Sequence, residues 1–131
     1  MVCVDTSFLI ALLRRNQDAE EKLESYLQDG EVISTTPICA CELFAGAHKS
    51  KKRELEIKKV REFLSRMELL DFSIHTCERF GRLRGELESR GTIVGDFDIM
   101  IAAIALAHNQ TVLTRDVEHF QRISGLVVET W

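Results

Sequence analysis

Val2-Cys3-Val4-Asp5-Thr6-Ser7-Phe8-Leu9 passes from an apolar strand straight into a helix signal, with an acid at the joint. Val2 to Asp5 reads as a short strand buried on both faces, and Thr6-Ser7 opens a helix that runs from Ser7 to Arg14. The pattern recurs. Glu31 to Thr35 is β-branched and strand-like, and Thr36-Pro37 then supplies a cap followed by Pro at the first helical position of a helix reaching about His48. Thr111 to Thr114 is a third strand, followed by Asp116 and a short helix from Val117 to Arg122. Between these, Gln17 to Gln28, Lys51 to Met67, Thr76 to Glu88 and Asp96 to Asn109 carry apolar residues at helical spacing. Glu68 to Phe72 and Leu126 to Val128 complete the strands. Strands alternating with helices predict an α/β fold of three layers, a short, mostly parallel sheet flanked by helices.

In such a sheet ligands gather outside the carboxyl ends of the strands. Asp5 and Asp116 follow strands directly, and Glu42 and Asp98 lie early on helices that leave the same edge. Asp5 and Asp116 each have a second explanation as helix caps, a place where Asp is favoured. Glu42 has none. It sits past the first turn after Pro37, with Ile38, Cys39, Ala45 and Gly46 as its helical neighbours, so an acid there marks a site. Asp96 and Asp98 are two apart and cannot share a helix face. Asp98 has Ile101, Ala102 and Ala105 along its own, whereas Asp96 follows Gly95 and suits a cap; Asp98 is the expected ligand and Asp96 a supporting acid. Thr6, Ser7 and Thr114 flank the acids and stand to bind water or phosphate, or to cap helices. Carboxylates gathered out of water cost several kcal/mol or take up protons unless a cation compensates. An all-oxygen donor set points to Mg²⁺ or Mn²⁺.

A length of 131 residues suits one domain spanning residues 1–131, and 45% hydrophobic with 29% charged residues is a globular balance. Four cysteines without metal-ligand spacing read as reduced and buried. No basic leader precedes the first strand, and Ile99 to Gln110 is too short to span a bilayer, so the expectation is a cytoplasmic protein with no membrane partner. The net charge of −4 conceals a basic stretch. From Lys49 to Arg66 eight basic residues face three acidic ones, a local balance of +5 that suits contact with a phosphate backbone, the alternative being a solvated helix face with pairs such as Glu54 with Lys58. The four histidines fall at helix ends and surfaces with no triad partner, and no phosphate-cradling glycine loop occurs.

Val-Cys-Val-Asp-Thr-Ser-Phe-Leu at 2 to 9, Cys-Glu-Leu-Phe-Ala-Gly at 41 to 46, Gly-Asp-Phe-Asp-Ile-Met-Ile-Ala-Ala at 95 to 103 and Leu-Thr-Arg-Asp-Val-Glu-His-Phe at 113 to 120 resemble, in that order, the motifs of PIN-domain ribonucleases. More narrowly the chain is similar to VapC-type toxins of toxin–antitoxin pairs. That resemblance implies a Mg²⁺- or Mn²⁺-dependent endoribonuclease acting on RNA, an antitoxin protein that restrains it, and a homodimer. It assigns Asp5, Glu42, Asp98 and Asp116 to the acidic quartet, with Asp96 an extra acid near the third place. A non-catalytic PIN-like module that binds RNA or protein is the alternative. A phosphoacceptor receiver domain would need paired acids after the first strand and a late lysine, where this chain has Asp5-Thr6 and Arg115.

Overall fold

The computed structural model describes residues 1–131. In chain order it contains β1 (Val2–Val4), α1 (Thr6–Leu13), α2 (Gln17–Gln28), β2 (Ile33–Thr35), α3 (Pro37–His48), α4 (Arg53–Leu64), β3 (Glu68–Leu69), α5 (Ile74–Ser89), α6 (Asp96–Ala107), β4 (Thr111–Leu113), α7 (Val117–Gln121) and β5 (Val128–Glu129). The five strands form one sheet in the order β3-β2-β1-β4-β5, and every pairing is parallel. β1 is central. Val2 and Cys3 pair with Ile33 and Ser34 on one side, while Val2, Cys3 and Val4 pair with Thr111, Val112 and Leu113 on the other.

This order matters for the site. From β1 the chain winds outward through β2 to β3, then returns to the other side of β1 for β4 and β5, so the direction of winding reverses between β1 and β4. Right-handed crossovers then put the two helix groups on opposite faces. The loops after β1 and β4 part at that reversal and leave a crevice at the carboxyl edge.

Burial explains the apolar runs. Val2, Cys3 and Val4 are all buried, as a strand covered on both faces requires, and Phe8 and Leu9 continue the core into α1. α6 is apolar nearly all round because Ile99, Ile101, Ala102, Ala103, Ile104 and Ala105 are all buried. Each buried Leu, Ile or Phe side chain contributes about 1.5–3 kcal/mol.

The elements match the sequence expectation in number and order, and differ at their ends. β2 starts at Ile33 because Gly30, at φ +73, turns the chain and Glu31 instead binds the terminal amine at 2.6 Å. Two expectations need correction. Cys3 and Cys39 are buried, but Cys41 and Cys77 are exposed. On α4 the ion pair is Lys59 with Glu56, at 3.5 Å, rather than Glu54 with Lys58 or Glu62 with Arg66. No helix is long and apolar enough to cross a membrane.

Candidate active site

Asp5 stands where β1 ends and α1 begins. It caps α1, its Oδ1 accepting from the Phe8 amide at 3.2 Å, and so fills the role of any N-cap Asp. It does more than cap. The Ser7 hydroxyl donates to the same oxygen at 2.6 Å, and the Thr114 hydroxyl, from the end of β4, donates to Oδ2. Only 4% of Asp5 is exposed, and no lysine, arginine or histidine pairs with it.

Burial pushes the Asp5 carboxyl above its ordinary value. The hydroxyl and amide donors pull it back, and the charge of Asp116 pushes it up again. Asp98 is raised for the same first reason, burial, with His119 lowering it and Asp116 raising it. Asp116 therefore lies within electrostatic reach of both. Three acids from β1, α6 and the turn after β4 share one region at the carboxyl edge.

Glu42 reaches the same edge from α3. Thr36 caps that helix through the Cys39 amide at 3.1 Å, with Pro37 in its first turn, so Glu42 falls on the turn that faces α1. There the Thr6 hydroxyl donates to Glu42 Oε1 at 2.7 Å. Thr6 and Ser7, adjacent in sequence, thus hold Glu42 and Asp5 respectively. Glu42 also lines a groove of about 270 Å³ with Ile10 and Leu13 of α1, Arg14 just after it, and Val60 of α4.

The remaining acids differ from one another. Asp98, at the third position of α6, has 27% of its side chain exposed and meets His119 Nδ1 at 3.3 Å. Asp96 is not the cap expected of it. Gly95 occupies that position, Asp96 is the first helical residue, and its carboxylate binds Arg84 Nε of α5 at 2.9 Å. That bond engages Asp96 with α5, whereas none of Asp5, Glu42, Asp98 and Asp116 has an arginine or lysine partner. Asp116 precedes α7 without capping it by side chain; its amide instead donates to the Thr114 hydroxyl at 2.8 Å.

His119 was missed in the sequence, where it looked like one more surface histidine. The available signal was its place three residues after Asp116, one helical turn into α7, which turns it toward the same edge.

The donor set suits a hard divalent cation. All donors are carboxylate or hydroxyl oxygens, the carboxylates repel one another, and no basic side chain neutralises Asp5, Glu42 or Asp116. No three acidic, histidine or cysteine side chains come together tightly enough to enclose an ion by themselves. Mg²⁺ typically takes one or two carboxylates and keeps waters or substrate phosphate for its other positions.

Comparison with known proteins gives one answer. The PIN domain pattern matches residues 2–126. Ribonuclease VapC2 of Rickettsia felis is 36% identical over 128 residues, covering 98% of this chain and 96% of that protein. The tRNA(fMet)-specific endonuclease VapC of Salmonella typhimurium is 38% identical over 94 residues, 72% of this chain and 71% of that protein. Among solved structures, VapBC2 of Rickettsia felis bound to a DNA fragment from its promoter contains a chain that superposes with a TM-score of 0.91 at 35% identity, covering 100% of this chain and 99% of that one. A family match over residues 2–126, with a VapC relative 36% identical over 98% of the chain, means that the chain belongs to the PIN-domain family, in its VapC branch.

Proposed function

We propose that this chain is a metal-dependent endoribonuclease, the toxin of a type II toxin–antitoxin pair, hydrolysing RNA phosphodiester bonds at the edge lined by Asp5, Glu42, Asp98 and Asp116. The observation that carries the reading is Asp5, a buried carboxylate held by three donors, raised by its surroundings and given no cationic partner. Asp5 and Asp98, with Glu42 and Asp116 beside them, would hold Mg²⁺ or Mn²⁺, which when bound acidifies water and screens charge developing on the phosphate.

The chain's own groups prepare that chemistry. Asp5 Oδ1 already accepts two bonds and Oδ2 one, so a free lone pair on Oδ2 is its remaining acceptor. Ser7 and Thr114 hold the carboxylate in one orientation. Thr6 does the same for Glu42, and His119 for Asp98 when Nδ1 carries the proton. An acid fixed in this way accepts a proton from the attacking water without first reorganising. The exposed side of Asp98 and Asp116 leaves the edge open to a strand of RNA.

An antitoxin segment suits the groove of about 440 Å³ between α1, α2 and α4, where Leu12, Leu13, Leu23 and Phe63 give an apolar floor and Arg15, Lys59 and Arg66, among Glu20 and Glu62, a charged rim. An amphipathic helix with apolar anchors at helical spacing matches it. Ile93, in the loop before α6, and Phe97, in its first turn, are 84% and 54% exposed and favour a homodimer that covers them. We place the protein in the cytoplasm, with its RNA substrate.

The test is cleavage of a mixed tRNA and rRNA preparation by antitoxin-free protein in Mg²⁺ or Mn²⁺. Asp5→Asn and Glu42→Gln each lower it by more than about 100-fold, beyond the loss typical of outer-shell partners, with circular dichroism unchanged. Undiminished cleavage by either variant overturns the site. A second reading, a non-catalytic module that binds RNA or protein, draws on the open spacing of the acids. Metal binding by calorimetry without any cleavage would favour it.

A further inference from the structure

On the flank of the acid edge a pocket of about 330 Å³ is lined by Ser7, Ile10, Ala11, Arg14, Asn16, Arg115 and Trp131. Two guanidiniums line it. Neither Arg14 nor Arg115 makes a salt bridge, although Arg115 adjoins Asp116 in sequence and Arg14 lines the groove of Glu42. Both residues are exposed. Two cations beside a set of repelling carboxylates would neutralise them if free to do so.

For Arg115 the fold gives a reason why it does not. The Arg115 guanidinium lies over the Trp131 ring, 4.4 Å from its centroid, and the ring is itself set edge-on against the fully buried Phe8 at 4.9 Å. The Arg115 amide donates to the Ser7 hydroxyl at 3.1 Å, and that hydroxyl binds Asp5. Arg115 is thus tied to the catalytic edge through its backbone, while its charge is held apart on an aromatic face. At the end of α1 the chain turns left-handed at Arg15, φ +59; Arg15 pairs with Glu20 at 2.6 Å, and Arg14 stays on the pocket.

We propose that Arg14 and Arg115, backed by Trp131, form a phosphate subsite that grips the RNA strand beside the bond to be cut. The inference rests on the nuclease reading and deepens it. Guanidiniums match phosphate oxygens in pairs, and one already stacked on an indole loses little freedom when a phosphate arrives. The cations at this subsite also draw a polyanion toward an edge that its carboxylates would otherwise repel. Arg14, shared by the pocket and the Glu42 groove, sets the path: along α1, from the Trp131 side past Ser7 toward Glu42.

The experiment measures binding of a short fluorescein-labelled single-stranded RNA to full-length Asp5→Asn protein by anisotropy over a salt series, so that cleavage does not enter. Adding Arg115→Gln or Arg14→Gln should weaken binding at low salt and reduce the slope of log affinity against log salt by on the order of 0.7 per lost phosphate contact. Arg115→Lys should keep the slope and recover part of the affinity; Trp131→Leu should weaken binding without changing the charge. In otherwise unaltered protein Arg115→Gln should raise KM more than it lowers kcat. Unchanged affinity and slope in both glutamine variants overturns the subsite. Loss of binding to a purified antitoxin with RNA binding intact overturns it too, and gives the pocket to that protein. Failure of the nuclease reading appears separately, as unaltered protein that cuts no RNA.

Discussion

Thr114 donates to Asp5 and accepts from the Asp116 amide, so one buried hydroxyl ties the ends of β1 and β4 together at the site. Thr114→Val keeps the shape and removes both bonds, leaving a buried carboxylate oxygen and an amide short of partners. We expect a loss of about 1–3 kcal/mol in urea unfolding. Cleavage should fall by roughly 10- to 100-fold, the range for groups that orient a site from behind, and Thr114→Ser should restore most of both. A variant that loses stability but keeps its activity would make Thr114 a structural residue only. The same contrast explains which site residues were legible in the sequence. Glu42 could be read because an acid on an apolar helix face conflicts with its surroundings. Asp5 and Asp116 were ambiguous, since Asp at a strand-to-helix joint is also an ordinary cap, and Asp5 both caps α1 and accepts from the Ser7 hydroxyl. His119, Arg14 and Arg115 gave no such conflict. A polar residue on an exposed helix end looks the same whether or not the fold aims it at Asp98 or Trp131.

At the scale of elements, α3 presents Glu42 only because its start is fixed. Thr36 is fully buried, accepts from the Cys39 amide and donates to Cys39 Sγ at 3.3 Å, while Pro37 sets the first helical dihedral. Thr36→Ala should cost about 1 kcal/mol as a lost cap. Because Glu42 lies on the second turn, fraying at the start of α3 should also loosen its bond with Thr6 and lower kcat. Thr36→Ser, which retains the hydroxyl, should recover the rate. A fall in stability with kcat unchanged would separate the cap from the site. Elements of this kind were readable from local signals: the Thr-Pro start, the apolar period of α6, the Asp29-Gly30 stop after α2. Their ends were less so. The helix expected to end at Met67 ends at Leu64, and β3 is two residues long rather than five, because pairing with β2 extends only to Ser34 and Thr35.

At the scale of the whole molecule, strand order was not legible. Alternation of strands and helices implied a parallel sheet, but nothing local states that β4 pairs with β1 rather than with β3, and that pairing is what brings Thr114 and Asp116 to Asp5. The assembled edge has a consequence for stability. Asp5 and Asp98 are both raised above their ordinary values, mainly by burial. The folded state therefore holds protons that the unfolded chain has released. The contribution of these two acids to stability is fully present below the unfolded value, about 4, and is lost as pH rises through their raised folded values. Surface acids with partners slope the other way, so the measurement is a difference. Thermal unfolding of the metal-free protein and of Asp5→Asn should diverge as pH rises from about 4 to 7, the variant ending more stable by about 1 kcal/mol, the usual size of gain when a strained site is relieved. Mg²⁺ or Mn²⁺ should reverse that ranking at neutral pH. Ligation favours the ionised carboxylates, so a metal at about 100 times its Kd adds roughly 2.7 kcal/mol to the native protein, and little at pH 4 where protons compete. If Asp5→Asn is no more stable than the native protein at pH 7 without metal, the carboxylate is satisfied by its hydroxyl donors alone. The case for a cation at this edge would then lose its electrostatic basis.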